Sequence, residues 1–140
     1  MATITIQRSA VRDLLIAEST NAARTFVRND GVSEFENVVI DTQSDSSLDG
    51  AWGEACSKLA EKMHRFLSSS TLTTSQADYV LKAASAPAGL ADNIKMYVVG
   101  YMMQDWLASV RPDYRQRYID RANLEMDDLL RKLYKKEPPV

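Results

Sequence analysis

The spacing of apolar residues along the chain predicts four α-helices. Apolar side chains recur at steps of three and four residues over 9–26, 47–67, 90–109 and 113–134, which is the period of a helix with one buried face. The third of these helices is apolar on nearly every side, so we expect it to be central, surrounded by the other helices or by a second copy of the chain. The fourth ends in basic residues, where positive charge suits the helix dipole.

Two short segments have the composition of β-strands. Residues 36–40 are rich in β-branched side chains, and 77–84 contain an apolar Tyr-Val-Leu run. The hydroxyl-rich stretch 68–75 is interpreted as a connection. The predicted fold is therefore mainly α, a helical bundle of about four helices with a minor β-hairpin or short strands. The 140 residues suit one domain, and we expect its ends, 1–8 and 135–140, to be flexible.

Three glycines lie inside the predicted helices, where each costs up to about 1 kcal/mol relative to alanine. Gly50 and Gly53 flank Trp52, and we expect them to let another backbone approach there. Gly100 lies in the middle of the apolar helix and predicts a close helix crossing.

The chain has one cysteine and one histidine. This excludes an intrachain disulfide, a thiolate-rich zinc site and a multi-histidine metal site. Cys56 falls on or near an apolar helical stripe and is expected to be a core thiol. His64 has only Glu61 as a candidate partner at helical spacing, so we expect a structural or solvated histidine rather than a catalytic one.

No short motif indicates a chemistry. Asp41, Asp45 and Asp49 are spaced by four, whereas a calcium loop places oxygens at alternating positions, so capping and solvation explain them better. Phosphate-binding, dinucleotide-binding, zinc-protease and serine-hydrolase signatures are absent from the sequence. We therefore expect no enzymatic activity and no cofactor or metal.

Hydropathy gives no sign of export or membrane insertion. The first residues lack the basic start and apolar run of a secretory signal, and no stretch reaches the ~18 consecutive apolar residues of a spanning helix. We expect a protein of the host cytoplasm without a membrane partner.

The formal net charge of −2 conceals a segregation of charge. Between Arg28 and Lys58 there are seven acidic residues and no basic one, whereas basic residues outnumber acidic ones from residue 111 onward. Four of the acidic residues are candidate interface positions: Glu34, Glu36, Asp41 and Asp45.

A second candidate surface lies at the start of the last helix, where four arginines span an arc of ~160° with two tyrosines near its middle. Three interpretations remain open: a solvated face neutralised by nearby carboxylates, a nucleic-acid contact opposed by the overall acidity, and a protein interface, for which Arg and Tyr are favoured. In the third, the acidic segment of one copy meets this face on the next, and such heterologous contacts build rings or filaments. The candidate residues are Arg111, Tyr114, Arg115, Arg117, Tyr118 and Arg121.

Segments 45–56, 90–94, 97–101, 104–107 and 129–138 together resemble the small helical virion proteins of tailed phages and prophages. These are the head–tail connector (adaptor) proteins and related neck or tail-completion proteins. The resemblance lies in the pattern of helices and aromatic residues. It implies a non-enzymatic subunit that assembles as a ring between portal and tail, and it assigns no catalytic residue. The strand-like segments depart from an all-helical adaptor, so a tail-tube or tail-terminator partner is equally compatible. The alternative is a soluble bacterial adaptor or regulatory module that binds one protein partner.

Overall fold

The computed structural model describes residues 2–23, 45–72, 77–83, 87–110, 112 and 115–136. Within these ranges the chain forms four helices and three strands, which confirms the predicted mainly helical fold with minor strands. In chain order the elements are β1 (Ala2–Ile6), α1 (Arg8–Ala23), α2 (Asp45–Met63), β2 (Leu67–Thr71), β3 (Tyr79–Ala83), α3 (Leu90–Val110) and α4 (Arg115–Lys136).

Helix α3 is the centre of the bundle, as its pattern predicted. It packs against α4, α2, α1 and β1. Gly89 leads into it with a positive φ of 81°, which glycine adopts without steric cost. Its buried apolar residues come from all sides of the helix: Leu90, Ile94, Tyr97, Val98, Val99, Met102, Met103 and Leu107.

The predicted close crossing at Gly100 is confirmed. A Cβ built on Gly100 would lie 3.2 Å from the Cβ of Ala122 in α4. The absence of a side chain on one helix and the small methyl group on the other therefore allow α3 and α4 to approach closely. The same expectation was wrong for Gly50 and Gly53 as far as the described residues go, because none of their atoms outside the local helix lies within 4 Å of a Cβ at either position.

The three strands form an antiparallel sheet in the order β1-β3-β2. β3 was expected from the sequence and lies in the middle, with Tyr79, Leu81 and Ala83 buried. β1 pairs with it without interruption, from Ala2 opposite Ala83 to Ile6 opposite Tyr79.

The two outer strands correct the sequence interpretation. Residues 1–8 were expected to be a flexible end, but 2–6 form β1, and Ile4 and Ile6 are buried in the core. Residues 68–75 were expected to be a connection, but Leu67–Thr71 form β2. β1 has the alternation of threonine and isoleucine that is typical of a strand, but it lies at the start of the chain and was interpreted as part of a flexible end. β2 was missed because four of its five residues are serine or threonine. The predicted strand at 36–40 lies outside the described residues.

Candidate functional site

A groove between three helices is a concave, largely apolar feature of the described surface. Helices α2 and α4 both pack against α3, and between them the surface of α3 remains open over a cavity of about 230 Å³. Its lining comes from α2 (Lys58, Lys62), α3 (Tyr97, Tyr101, Gln104) and α4 (Ile119, Ala122, Asn123).

Helical spacing brings these residues together. Tyr97 and Tyr101 are four residues apart and lie one turn above the other on α3, with ring centroids 6.3 Å apart. Lys58 and Lys62 have the same spacing on α2, so both lie along one wall. At the end of α2, the ring of Phe66 meets Tyr134 of α4 edge-on at 5.0 Å. This contact joins the ends of the two walls.

The tyrosines of the groove are held in their neutral form. The hydroxyl of Tyr101 donates a hydrogen bond to Glu54 Oε1 at 2.5 Å. Burial, this hydrogen bond and the negative charges of Glu54 and Asp105 raise the pKa of Tyr101 above its usual value. Burial and the nearby carboxylate of Glu61 raise the pKa of Tyr97 in the same direction. Tyrosine is neutral at physiological pH even with its usual pKa of ~10, and these contacts keep both phenols protonated at higher pH as well.

The size of the groove favours one kind of occupant. Small-molecule sites usually enclose ~300–1,000 Å³, and this cavity is smaller. An aromatic or aliphatic side chain from another protein fits such a volume. Tyrosine is enriched among the residues that dominate binding energy at protein interfaces. The lysine amines of Lys58 and Lys62 add charge at the rim, where it affects specificity more than affinity.

Of the arginines and tyrosines expected to form a surface at the start of the last helix, only some are exposed. Tyr118 was expected there, and that prediction was wrong, since the side chain is buried and its hydroxyl lies 3.5 Å from Glu18 Oε2 of α1. Arg121 donates to Glu18 Oε1 at 3.0 Å, and Arg115 donates to Gln104 at 3.2 Å. These contacts join α4 to α1 and α3.

The other candidate interface residues are less fully described. Arg117 is exposed, as its proposed role requires. Asp45 is the first residue of α2. The remaining candidates lie outside the described residues: Arg111, Tyr114, Glu34, Glu36 and Asp41. The contact expected between the acidic segment of one copy and this face of the next therefore stays a prediction.

The two residues that were considered for catalysis differ in their surroundings. Cys56 is buried in the core, and desolvation raises the pKa of its thiol to about 12, although the positive charge of Arg8 acts in the opposite direction. His64 is exposed, and its Nδ1 lies 3.0 Å from the carbonyl oxygen of Glu61. Among the described residues no three His, Cys, Asp or Glu side chains cluster as metal ligands, and no helix has the length and apolar character needed to cross a membrane.

Sequence reasoning missed the groove, although a signal for it was present. Tyr97 and Tyr101 were interpreted as core residues because the whole helix is apolar, and this is confirmed for Tyr97, which is 5% exposed, whereas Tyr101 is half-buried. Pairs of tyrosines or lysines at i and i+4 indicate a shared face, but only the packing of α2 and α4 shows that this face of α3 stays open. Comparison with family models, curated proteins and solved structures found no match to this chain.

Proposed function

We propose that this chain is a non-enzymatic assembly protein of a phage or prophage virion, a head–tail connector or tail-completion subunit that works through protein–protein contacts. The observation that supports the proposal best is the open groove between α2, α3 and α4. The groove holds two neutral tyrosines and an isoleucine, and its volume suits a protein side chain. The resemblance in the pattern of helices and aromatic residues supplies the virion context.

In this proposal an apolar side chain of a portal or tail protein inserts between Tyr97, Tyr101 and Ile119. Burial of such a side chain contributes ~1.5–3 kcal/mol, so the groove acts as one anchor of a larger interface. Arg117 and the acidic segment before α2 remain candidates for ring contacts between copies. We propose that the protein is made in the host cytoplasm and ends in the virion.

The alternative function is a soluble bacterial adaptor that binds one protein partner through the same groove. The two functions predict different gene neighbourhoods and different partners. Portal, capsid and tail genes beside this gene support the virion function. Deletion of the gene from an inducible prophage should then leave heads and tails that fail to join, as seen by negative-stain electron microscopy. Normal infectious particles from the deletion strain would contradict the virion function.

The groove itself is tested by a matched pair of variants on α4. Ile119 lines the groove, whereas Leu124 is 69% exposed and is not part of its lining. We expect Ile119→Ser to weaken binding to the neighbouring portal or tail protein by about tenfold, since an anchor contact typically contributes more than ~1 kcal/mol. Leu124→Ser should leave the affinity unchanged.

Isothermal titration calorimetry with the purified partner provides the measurement. Circular dichroism of both variants establishes that the fold is retained. Equal affinities for the two variants would show that the partner binds elsewhere on the protein.

A further inference from the structure

As far as the structure describes the chain, the outer edge of β1 lacks the charge, proline and bulge that usually protect a strand edge. β1 pairs with β3 on one side, and within the described residues no strand pairs with its other side. Ala2–Ile6 contain no charge and no proline, and the pairing with β3 runs without a bulge. Exposed edges of this kind are templates for pairing with another strand.

The opposite edge of the sheet differs. β2 carries a register shift between Leu67 and Ser69, and its last four residues are exposed serine and threonine. A bulge bends and twists an edge strand and thereby discourages further pairing. The contrast between the two edges indicates that β1, and not β2, is the edge suited to pairing with another chain.

Open space lies beside β1. A cleft of about 360 Å³ is lined by three consecutive residues of β1, Thr3, Ile4 and Thr5, and by the loop and first turn that begin α3, at 87–92. Because successive side chains of a strand point to opposite faces, a cleft that contacts three consecutive residues runs alongside the strand.

We propose that two copies of this chain pair through β1, edge to edge and antiparallel, to form a continuous six-stranded sheet. The sequence of β1 is suited to pairing with itself. A two-fold axis at Ile4 places Thr3 of one copy opposite Thr5 of the other, and Ile4 opposite Ile4. Threonine pairs are favourable across strands, and the uncharged strand brings no like charges together. The contact is isologous and gives a closed dimer. It is independent of the groove, and a ring would need a second, heterologous contact.

The first test is the mass of the full chain in solution. Sedimentation equilibrium over a concentration series should show a reversible transition from 15.7 kDa to twice that mass. Backbone amides of β1 should exchange with solvent more slowly at concentrations where the dimer forms. A monomer at every concentration overturns the proposal, and so do β1 amides that are equally protected in the monomer, since the edge is then covered within the chain.

Two double variants test the pairing itself. In T3E/T5E, two pairs of glutamates face each other across the dimer. In T3E/T5K, each glutamate faces a lysine. Both variants carry the same substitution at position 3, which lies opposite Lys82 within the chain. The variants therefore differ only at position 5, where Val80 is the neighbour on β3.

We expect the T3E/T5E dimer to dissociate at least about tenfold more readily than the T3E/T5K dimer, because opposite charges across strands are stabilising and like charges are destabilising. Matching circular dichroism and thermal unfolding midpoints, measured at concentrations where both variants are monomeric, show that both are folded. Equal dissociation constants would assign self-association to another face and overturn the proposal.

Discussion

At the residue scale, a single buried amide holds the start of α3 against α4. Asn93 donates hydrogen bonds to Glu125 at 2.7 Å and to Asp128 at 3.0 Å, and it accepts one from Lys132 at 2.6 Å. Hydrogen bonds from Asn93 and Lys132 lower the pKa of Asp128. Since three groups of α4 converge on one side chain, this network fixes how the two helices align along their length.

The buried thiol of Cys56 should be unreactive in the folded protein. The thiol should react with Ellman's reagent at pH 8 only as fast as the protein unfolds, because the thiolate is the reactive form and burial raises the pKa to about 12. The raised pKa also means that the folded state holds the proton longer than the unfolded chain does. The free energy of unfolding should therefore fall as the pH rises from about 9 toward 12, by up to ~1.4 kcal/mol per pH unit.

A variant without the thiol tests whether Cys56 causes this fall in the free energy of unfolding with pH. Cys56→Ala should show a shallower decline of stability over the same pH range in urea titrations, although raised tyrosine pKa values leave some decline in place. Labelling of the native protein within seconds at pH 8 would contradict the buried thiol.

At the element scale, the distance between helix axes depends on which residues lie at the crossing. Gly100 of α3 faces Ala122 of α4. A methyl group on Gly100 would lie 3.2 Å from the Cβ of Ala122 and 3.4 Å from its backbone N and Cα. Backbone atoms cannot rotate away as the end of a long side chain can. Gly53 of α2 has no such neighbour within 4 Å.

The same substitution at the two glycines should therefore change stability in opposite directions. Gly53→Ala is expected to raise the free energy of unfolding by up to ~1 kcal/mol through helix propensity. Gly100→Ala should lower it by ~1 kcal/mol or more, since the strain of overpacking exceeds the gain in propensity. Chemical denaturation of each variant provides the measurement. Gly100→Ala should cost less stability in an Ala122→Gly background than in the native one, and equal costs in the two backgrounds would show that the crossing is not the cause.

At the scale of the whole molecule, Arg8 joins three distant parts of the chain. Its guanidinium forms an ion pair with Asp49 of α2 at 2.5 Å and lies over the ring of Trp52 at 5.6 Å. Its backbone N–H donates to Asp78 beside β3, and Trp52 donates to the carbonyl oxygen of Ala77. The junction of β1 and α1 is thereby fixed to both α2 and the sheet.

Removal of this junction should destabilise the whole fold. The side chains of Arg8 and Asp49 are only 12% and 20% exposed. Arg8→Met removes the guanidinium beside the partly buried carboxylate of Asp49, so we expect it to lower the free energy of unfolding by ~1–3 kcal/mol. The surface pair Lys95–Asp92 is 34% and 81% exposed, and Lys95→Met is the control, with an expected effect below ~0.5 kcal/mol. Unfolding followed by Trp fluorescence measures both. Equal losses would show that burial of the Arg8 pair does not matter.

The sequence by itself determined the four helices and their approximate limits, because the period of apolar residues is a local property of each segment. It also determined that α3 is central, since a helix that is apolar all round must be surrounded. The crossing at Gly100 and the burial of Cys56 followed from the same pattern. β3 was recognisable because its apolar residues are consecutive.

Only the tertiary structure decided which polar residues lie at contacts between secondary-structure elements. Tyr118 and Arg121 are residue types that are common on protein surfaces. Both nevertheless contact Glu18 of α1, which lies about a hundred residues earlier in the chain. β2 is a strand because β3 lies beside it and supplies hydrogen-bond partners that its serine-rich sequence does not predict. The groove exists because α2 and α4 leave a face of α3 uncovered. Each of these features depends on contacts between residues far apart in the chain, and a local pattern contains no information about such contacts.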